Sequence, residues 1–337
     1  MKSYNVAIVG ATGMVGRTFI QILEERDFPI NELRPLASAK SVGQGIMYRG
    51  EKRTVGLLEP ASFKNIDFAL FSAGADISKQ FSPIAAESGA VVIDNSSAFR
   101  MQDNIPLVVP EVNAEVLQSH HRIIANPNCS TIQMVVAAKP IHDAASIQRI
   151  VVSTYQAVSG KGKDAVDELE SQSQSMLQSQ AANAQVFPHQ IAFNALPHID
   201  IFKEDGNTAE EIKMIQETRK IMGEPDLAIS AMCVRVPVFN GHSLSLNLEL
   251  EKPLTVDDLR NILANAPGIE LLDNPNTNLY PTPVQASGKD DVFVGRIRRD
   301  DSVENGFNLW VVSDNLRKGA ALNAIQIAEQ IIKKEAL

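Results

Sequence analysis

Cysteine is scarce in this chain: only Cys129 and Cys233 occur among 337 residues. Two thiols cannot build the disulfide framework of a small secreted domain, and their separation matches no zinc-ligand spacing. The sequence therefore predicts a reducing, cytoplasmic location and no metal site.

Long apolar runs and basic clusters are also missing. No apolar segment approaches the roughly 18 residues of a membrane-spanning helix, and the opening MKSYNVAIVG begins a strand rather than an export signal. The formal net charge is −9, without a basic patch that could follow a phosphate backbone. We therefore expect neither membrane nor nucleic acid as a partner, and an anionic ligand must be held by a few placed cations.

The residues that are present fit an ordinary globular protein, with 44% hydrophobic and 21% charged residues. The length suffices for two domains with separate cores. The segment YNVAIVGATGMVGRTFIQILEE predicts a buried strand, a glycine turn and a helix. Its glycines, Gly10, Gly13 and Gly16, depart from the usual G-x-G-x-x-G spacing but suit a pyrophosphate at a helix N-terminus; packing is the alternative role.

The second strand, near ELRPLAS, ends in SAKS. An enzyme that uses NAD keeps an acidic residue at this point for the ribose hydroxyls, whereas Ser38, Lys40 and Ser41 suit a 2′-phosphate. The segment favours NADP, although a solvated polar turn explains it equally well.

Three later segments, DFALFSAG, AVVIDNSSAFR and PLVVPEVN, are predicted to run from an apolar strand into small or polar residues. Ligands bind at the carboxyl edge of such a sheet. Arg100, after the second of these strands, is a candidate anion-binding residue, and an ordinary surface position is the alternative.

The stretch NPNCST places Cys129 where a short strand passes into a helix. A thiol in the first turn of a helix lies near the positive end of the helix dipole, which lowers its pKa and favours the nucleophilic thiolate. The alternative is a small buried side chain that only fills the core. Polar neighbours on both sides favour function.

The second half begins with a strand over 150–155 that carries Gln156 at its end, followed by a helix to about residue 178. Thr208 and Glu211 form the S/T-x-x-E pattern of a capping box. Glu210 and Lys213 share a helix face, where a surface ion pair is the simplest interpretation.

The segment RVPVFNGHS predicts a hairpin, because Asn240-Gly241 is a strong signal for a two-residue turn. In that geometry Arg235 and His242 project to one side, although His242 could equally be an ordinary hairpin histidine. Cys233 lies mid-strand, and we expect it to pack in the core.

The chain as a whole resembles the aspartate-β-semialdehyde dehydrogenase family. The matching stretches include VAIVGATGMVG, DNSSAFR, NPNCSTIQM, STYQAVSG, RVPVFNGHS and WVVSDNLRKGAA, in the order of the family. The resemblance implies an α/β fold with an N-terminal Rossmann-like, doubly wound parallel sheet at 1–127, completed by a helix at 317–337. A C-terminal α+β catalytic and dimerisation domain with a mixed sheet would occupy 128–316.

The resemblance also implies the site residues. Cys129 would be the nucleophile, His242 the general acid/base, and Gln156 the residue that orients the intermediate. The implied substrate-binding residues are Arg235 for the α-carboxylate, Glu210 near the amino group, Arg100 and Lys213 for phosphate, and Asn128 beside the thiol. The implied cofactor-binding residues are Gly10, Thr12, Gly13, Met14, Val15, Gly16, Ser38, Lys40, Ser41, Ser72, Gly74, Asn95, Ser159, Gly160 and Asn315.

The implied reaction is the reversible, NADPH-dependent reductive dephosphorylation of β-aspartyl phosphate to aspartate semialdehyde through a cysteine thioester. It belongs to the biosynthesis of lysine, diaminopimelate, methionine and threonine, and the implied assembly is a homodimer, with a tetramer as the alternative. Many relatives carry arginine where Lys40 stands. Because lysine lacks the two-point contact of arginine, we expect a weaker preference for NADP over NAD. N-acetyl-γ-glutamyl-phosphate reductase and a catalytically silent dinucleotide-binding relative are the competing hypotheses.

Overall fold

The computed structural model describes residues 2–335, which divide into two compact units. The first unit consists of the residues up to Asn128 and those from Ala320 onward, and the second runs from Cys129 to Gly319. No helix among residues 2–335 combines the length and the apolar character needed to cross a membrane.

The first unit is built on a six-stranded sheet in which every pairing is parallel. Its strands follow the order β5-β2-β1-β6-β7-β8, and β3 and β4 form a separate antiparallel pair. The elements of this unit are β1 Tyr4–Val9, α1 Met14–Glu25, β2 Ile30–Ala37, β3 Gly45–Tyr48, β4 Glu51–Thr54, β5 Gly56–Leu57, β6 Phe68–Phe71, α2 Ala75–Glu87, β7 Val91–Asp94, α3 Pro110–Asn113, β8 Ile123–Ala125 and α9 Leu322–Glu335.

Helices cover both faces of this sheet because β1 is apolar on both sides. Val6 and Ile8 pack in one core together with residues of α1 and α9, whereas Ala7 and Val9 pack in a second core with residues of α2. This arrangement confirms the predicted doubly wound parallel sheet. Residues 336 and 337 of the predicted C-terminal helix lie outside the described residues.

The second unit is built on a mixed six-stranded sheet in the order β10-β9-β11-β14-β13-β12, which confirms the predicted fold class. The strand pairs β10-β9 and β13-β12 are parallel, and the others are antiparallel. The elements are α4 Cys129–Ala145, β9 Ile147–Gln156, α5 Lys163–Leu177, α6 Ala209–Met222, β10 Ala228–Arg235, β11 His242–Leu250, α7 Val256–Ala264, β12 Ile269–Leu271, α8 Pro283–Ala286, β13 Val292–Asp300 and β14 Gly306–Ser313. A π-helical turn at Arg317–Ala321 precedes α9.

The predicted hairpin at Asn240-Gly241 is wrong. The strands that flank it, β10 and β11, do not pair with each other, because β9 lies between them. Residues 236–241 instead cross over the end of β9. The predicted strand in PLVVPEVN is also wrong: Leu107 forms only an isolated bridge with Ala125, and α3 follows at Pro110.

The glycine turn between β1 and α1 is set by close backbone approach. A Cβ on Gly16 would lie 2.2 Å from the carbonyl oxygen of Gly10, and Gly10 itself has φ +85° and approaches the Ser72 carbonyl. Gly13 has an ordinary φ of −72° and is the N-cap of α1. Gly10 and Gly16 are therefore required by packing.

We predict that Gly16→Ala lowers the free energy of unfolding by about 1–3 kcal/mol or more, because the added methyl group overlaps backbone that cannot rotate away. Chemical denaturation monitored by circular dichroism measures the change. Gly13→Ala is the matched control: its Cβ would lie 3.4 Å from the nearest atom, and the loss should be a few tenths to about 1 kcal/mol. Equal losses in the two variants would contradict this assignment.

Candidate active site

Cys129 occupies the first position of α4, as the sequence predicts, and its side chain is only partly buried. Asn128, which is buried, immediately precedes it. The turn at Gly319 packs against the cysteine so closely that a Cβ there would lie 2.9 Å from Cys129 Cβ. A thiol at a helix start is stabilised as the thiolate by the helix dipole. Cys129 therefore meets the requirements of a nucleophile.

Gln156 ends β9 and is almost fully buried. Its Nε2 donates to Ser130 Oγ, one residue after the thiol, and to Glu210 Oε1 at 3.2 Å. Both amide protons are thereby used, and the carbonyl oxygen of Gln156 is the group left for a ligand. These bonds connect the start of α4 to the start of α6.

Glu210 and Lys213 form an ion pair that is more buried than a surface pair. Lys213 Nζ lies 3.3 Å from Glu210 Oε2 and 2.6 Å from Asp200 Oδ2, and Glu210 is itself buried. The hydrogen bond with Lys213 holds the pKa of Asp200 below its usual value against the effect of burial. The adjoining capping box of Thr208 and Glu211 is confirmed.

Arg235 and His242 are held by one backbone residue, Ala157. Arg235 Nη1 donates to the Ala157 carbonyl at 2.7 Å, and the Ala157 N–H donates to His242 Nδ1 at 3.0 Å. Both side chains are buried. Arg235 Nε and His242 Nε2 have no hydrogen-bond partner among residues 2–335. A polar ligand or an ordered water can accept hydrogen bonds from these two buried donors.

The electrostatics of the pair follow from burial and proximity. Burial and the neighbouring positive charge of Arg235 hold the pKa of His242 well below its usual value, so the imidazole is neutral. Burial also lowers the pKa of Arg235, and the negative charges of Glu210 and of a Cys129 thiolate oppose that change. The guanidinium is still the local cation at neutral pH.

Three of the predicted cofactor residues lie beside this pair in the second unit. A Cβ on Gly160 would lie 3.1 Å from both Arg235 Nη1 and His242 Nε2. Ser159 Oγ accepts from Asn315 Nδ2 at 3.0 Å, and Asn315 Oδ1 accepts from the Gly241 N–H at 2.9 Å. Ser159 and Asn315 therefore fix the loop that leads into His242.

Cys233 packs in the core, as predicted. It is fully buried, its sulfur lies 3.7 Å from the sulfur of Met214, and burial raises the pKa of its thiol. A protonated, inaccessible thiol is a poor nucleophile.

In the first unit, Arg100 is buried rather than exposed. Its Nε donates to the Asn126 carbonyl at 2.9 Å and its Nη2 donates to the Asn95 carbonyl at 2.7 Å. The side-chain amide of Asn126 links two of these elements. Its Nδ2 donates to Asn95 Oδ1, and its Oδ1 accepts from Asn323 Nδ2 in α9. These residues fix the strand ends that precede Cys129 in the chain.

A cavity of about 460 Å³ opens at the carboxyl edge of the parallel sheet. Two helices begin beside it, α1 after Gly13 and α2 after Gly74, and neither has a side-chain cap. Helix N-termini with free N–H groups bind phosphate groups. The predicted cofactor residues that line the cavity are Gly10, Thr12, Gly13, Ser38 and Ser72. These observations fit a dinucleotide.

The remaining predicted cofactor residues lie around this edge. Met14, Val15 and Gly16 form the first turn of α1, and Asn95 follows β7. Lys40 is exposed in a single turn at Ala39–Ser41, where Ser41 Oγ lies 3.4 Å from Thr12 Oγ1. The structure thus places twelve of the fifteen predicted residues in the first unit.

Three further residues that contact the site residues were not predicted from the sequence: Ser130, Ala157 and Asp200. Ala157 acts through its backbone, so its side chain carries no signal. Asp200 lies thirteen positions before Lys213, outside the spacing of any helical pair. Ser130 is the one of the three that the sequence could have indicated, because its hydroxyl directly follows Cys129 in NPNCST.

Comparison with known proteins agrees with both units. The family model for the semialdehyde dehydrogenase NAD binding domain matches residues 5–120, and the model for the semialdehyde dehydrogenase dimerisation domain matches residues 138–318. The chain is 57% identical to aspartate-semialdehyde dehydrogenase of Aquifex aeolicus, over 98% of each chain.

Solved structures agree as well. The crystal structure of aspartate semialdehyde dehydrogenase II from Vibrio cholerae complexed with ASA matches with TM-score 0.96 and 48% identity over 99% of each chain. Aspartate semialdehyde dehydrogenase with NADP from Candida albicans matches with TM-score 0.78 and 25% identity over the full length of both chains. The dinucleotide-binding domain and the full-length identity show that this chain belongs to the aspartate-semialdehyde dehydrogenase family, a group of enzymes that use a nicotinamide cofactor.

Proposed function

We propose that this enzyme converts β-aspartyl phosphate to aspartate β-semialdehyde with NADPH, reversibly, through a thioester on Cys129. The observation that carries the proposal is the cluster of the second unit: a thiol at a helix start with buried, unpartnered donors on Arg235 and His242. We assign dinucleotide binding to 1–127 with the C-terminal helix, and catalysis and dimerisation to 128–316. The product serves the synthesis of lysine, diaminopimelate, methionine and threonine.

The first half of the reaction is acyl transfer to sulfur. The Cys129 thiolate forms a bond to the acyl carbon, and the bond from that carbon to the phosphate oxygen breaks with its electron pair. The departing phosphate takes one proton from water. Lys213 in the second unit and Arg100 in the first are the phosphate-binding candidates, because each is a cation beside a strand end or helix that carries site residues.

The second half reduces the thioester. When bound, NADPH supplies the hydride that adds to the thioester carbonyl carbon. The resulting oxyanion on the Cys129 adduct needs donors, which the start of α4 and His242 Nε2 can supply. The oxyanion then expels the Cys129 thiolate and leaves the aldehyde.

Substrate recognition distinguishes the reaction from that of N-acetyl-γ-glutamyl-phosphate reductase. A substrate α-carboxylate suits Arg235, whose Nε lacks a partner and whose guanidinium forms two-point contacts with carboxylates. A free amino group, which is cationic, suits the negative charge of Glu210 and the carbonyl oxygen of Gln156, whereas an acetylated nitrogen carries no positive charge to pair with Glu210. ASA, the ligand in the Vibrio cholerae relative, supports the smaller substrate.

NADP is the preferred cofactor in this proposal. Strand β2 ends without an acidic residue, and the following turn provides Ser38, Lys40 and Ser41. The NADP in the Candida albicans relative supports this choice. Lysine grips a 2′-phosphate as a point charge rather than through a fork, so we expect a moderate preference over NAD.

A homodimer is proposed from the uncovered face of the mixed sheet. The helices α4, α6 and α7 pack against the other face. On this face, which α8 and the segment before it cover only beside Trp310, the residues Met232, Ser153, Ser245 and Trp310 form a continuous row across four paired strands, and Met232 is 56% exposed. The dimerisation-domain match covers all four strands, so a second copy of this chain is the occupant we expect.

We predict that the wild-type enzyme oxidises aspartate semialdehyde in a phosphate-dependent manner and does not act on the N-acetylated glutamate analogue. Cys129→Ala should abolish turnover and leave cofactor affinity near the wild-type value, because it removes only the acyl acceptor. Cys233→Ser is the control and should retain most activity. The nucleophile assignment fails if the two variants behave the other way round.

For the cofactor, Lys40→Ala should raise the KM for NADP and leave the KM for NAD nearly unchanged, since only NADP carries the phosphate. Steady-state kinetics with both cofactors measure this difference. Lys64→Ala, another exposed lysine of the first unit, should change neither constant. An equal rise for NADP and NAD would show that Lys40 does not contact the 2′-phosphate.

Charge on the uncovered sheet face should break the dimer. We expect Met232→Glu to shift sedimentation from dimer to monomer, because it buries a carboxylate against its own copy. Met47→Glu, at a comparably exposed methionine of the first unit (60%), should leave the dimer intact. If the Met232→Glu protein is still a dimer, the interface lies elsewhere. If the wild-type enzyme is a monomer, the proposed dimer is excluded.

A further inference from the structure

We infer that Asp200 is a counter-ion that holds the ammonium group of Lys213 until phosphate displaces it, so that Asp200 weakens phosphate binding and speeds phosphate release. The inference rests on the proposed function, because it concerns the same site and takes Lys213 as a phosphate-binding residue. Asp200 is not among the site residues that the sequence indicated.

Asp200 lies in a segment whose backbone is fixed on both sides. Before it, Leu196 and Arg235 exchange two backbone hydrogen bonds, of 2.9 and 2.8 Å, which hold the segment against the end of β10. After it, the Ala209 N–H donates to the Ile201 carbonyl at 2.8 Å and holds the segment against the start of α6. Asp200 is therefore placed between two elements that carry proposed substrate-binding residues.

The carboxylate of Asp200 is fixed as well. Its backbone is in the left-handed region, with φ +69°, a conformation that aspartate tolerates better than most residues with a side chain. Oδ1 accepts from the Ile201 N–H at 2.9 Å, and Oδ2 lies 2.6 Å from Lys213 Nζ. Asp200 therefore cannot follow the ammonium group when Lys213 turns toward a ligand, and the ion pair must break.

Two carboxylates face the single ammonium group of Lys213. Nζ lies 2.6 Å from Asp200 Oδ2 and 3.3 Å from Glu210 Oε2. Burial raises the pKa of Asp200, but the hydrogen bonds from Lys213 and Ile201 and the positive charge of Lys213 outweigh that effect, so this carboxylate is ionised at neutral pH. One cation between two carboxylates leaves an excess of negative charge, which repels phosphate. Phosphate binds Lys213 favourably only if one carboxylate releases it.

Burial decides which carboxylate gives way. The Glu210 side chain is 8% exposed and also accepts from Gln156 Nε2. Without Lys213 it would lose part of its compensation in a buried position, which is costly. The Asp200 side chain is 37% exposed, so water can solvate it after the ammonium group has left. Release of Lys213 by Asp200 therefore costs less than release by Glu210.

The exchange of partners acts in both directions of the reaction. When the acyl group passes to Cys129, the departing phosphate must leave Lys213, and Asp200 is fixed where it can take back the ammonium group. When phosphate enters in the oxidative direction, it must compete with Asp200 for the same cation. Asp200 acts through Lys213 and is thus a positioning residue.

Removal of the Asp200 charge tests the exchange. Asp200→Asn keeps the side-chain length, an oxygen that can accept from the Ile201 N–H, and the tolerance for a left-handed backbone. In the oxidation of aspartate semialdehyde, we expect its KM for inorganic phosphate to fall about twofold to fivefold, the range for a partly exposed ion pair. The KM values for aspartate semialdehyde and NADP should stay near those of the wild type.

The direction of this change separates the inference from a structural role, because damage to the site would raise the KM for phosphate. Asp205→Asn is the matched control. It removes an exposed carboxylate from the same segment, one that accepts from Asn207, and it should leave the KM for phosphate unchanged. In the reductive direction, inhibition by added inorganic phosphate should strengthen in Asp200→Asn by a similar factor.

A double variant tests whether Asp200 acts through Lys213. Inorganic phosphate raises the Tm of an enzyme that binds it, so thermal unfolding at increasing phosphate concentration measures binding without turnover. We expect a larger rise in Tm for Asp200→Asn than for the wild type, and we expect that difference to disappear when both proteins also carry Lys213→Met. A difference that persists without Lys213 would overturn the inference, because Asp200 would then act on phosphate by its charge alone.

The inference is also wrong if Asp200→Asn raises the KM for phosphate, because Asp200 then orients Lys213 for the ligand. An unchanged KM would reduce the contact to an ordinary surface ion pair and would equally contradict the inference. Failure of the proposed function looks different. In that case the wild-type enzyme itself does not oxidise aspartate semialdehyde in a phosphate-dependent manner.

Discussion

The backbone of Ala157, through its N–H and its carbonyl, is the constraint on which the candidate site depends. The buried guanidinium of Arg235 in β10 and the buried imidazole of His242 in β11 both need partners, and Ala157 supplies a carbonyl to Arg235 and an N–H to His242. Both of these contacts are to backbone atoms and not to mobile side chains. The two groups share one rigid anchor, so a shift of Ala157 would displace both of the side chains that we propose for substrate binding and catalysis.

The sheet topology makes this arrangement possible. Strand β9 lies between β10 and β11, so its last residue, Gln156, ends beside Arg235 in β10, and its neighbour Tyr155 pairs with Ser243, next to His242 in β11. Gln156 then links the strand ends to the start of α4, where the proposed nucleophile lies, because its amide donates to Ser130 and to Glu210. The buried guanidinium of Arg235 costs free energy unless a negative charge compensates it. Glu210 provides a compensating negative charge, as a Cys129 thiolate also does, and the positive charge of Arg235 in turn favours the reactive form of the thiol.

Much of the fold could be predicted from local patterns. The strand, glycine turn and helix at the start of the chain have both the apolar run and the helical spacing that such a unit needs, and Thr208 with Glu211 forms the expected cap. The hairpin at Asn240-Gly241 could not be predicted correctly, because the dipeptide describes a local turn and a strand from far earlier in the chain takes the place between its flanks. Arg235 and His242 share a site because β10 and β11 both flank β9, and not because they form a hairpin. Ala157 and Asp200 escaped prediction because one acts through its backbone and the other through a contact remote in sequence.

The central claim of the proposed mechanism is that a covalent acyl group forms on Cys129. Mixing the enzyme with β-aspartyl phosphate in the absence of cofactor, quenching with acid and analysing the peptides by mass spectrometry detects it. The account predicts an added aspartyl group on the peptide that contains Cys129, released by hydroxylamine, and none on the peptide that contains Cys233. The mechanism would be contradicted if Cys129 stayed unmodified while the same enzyme and substrate turned over once cofactor was added. An acyl group on another residue would also contradict it.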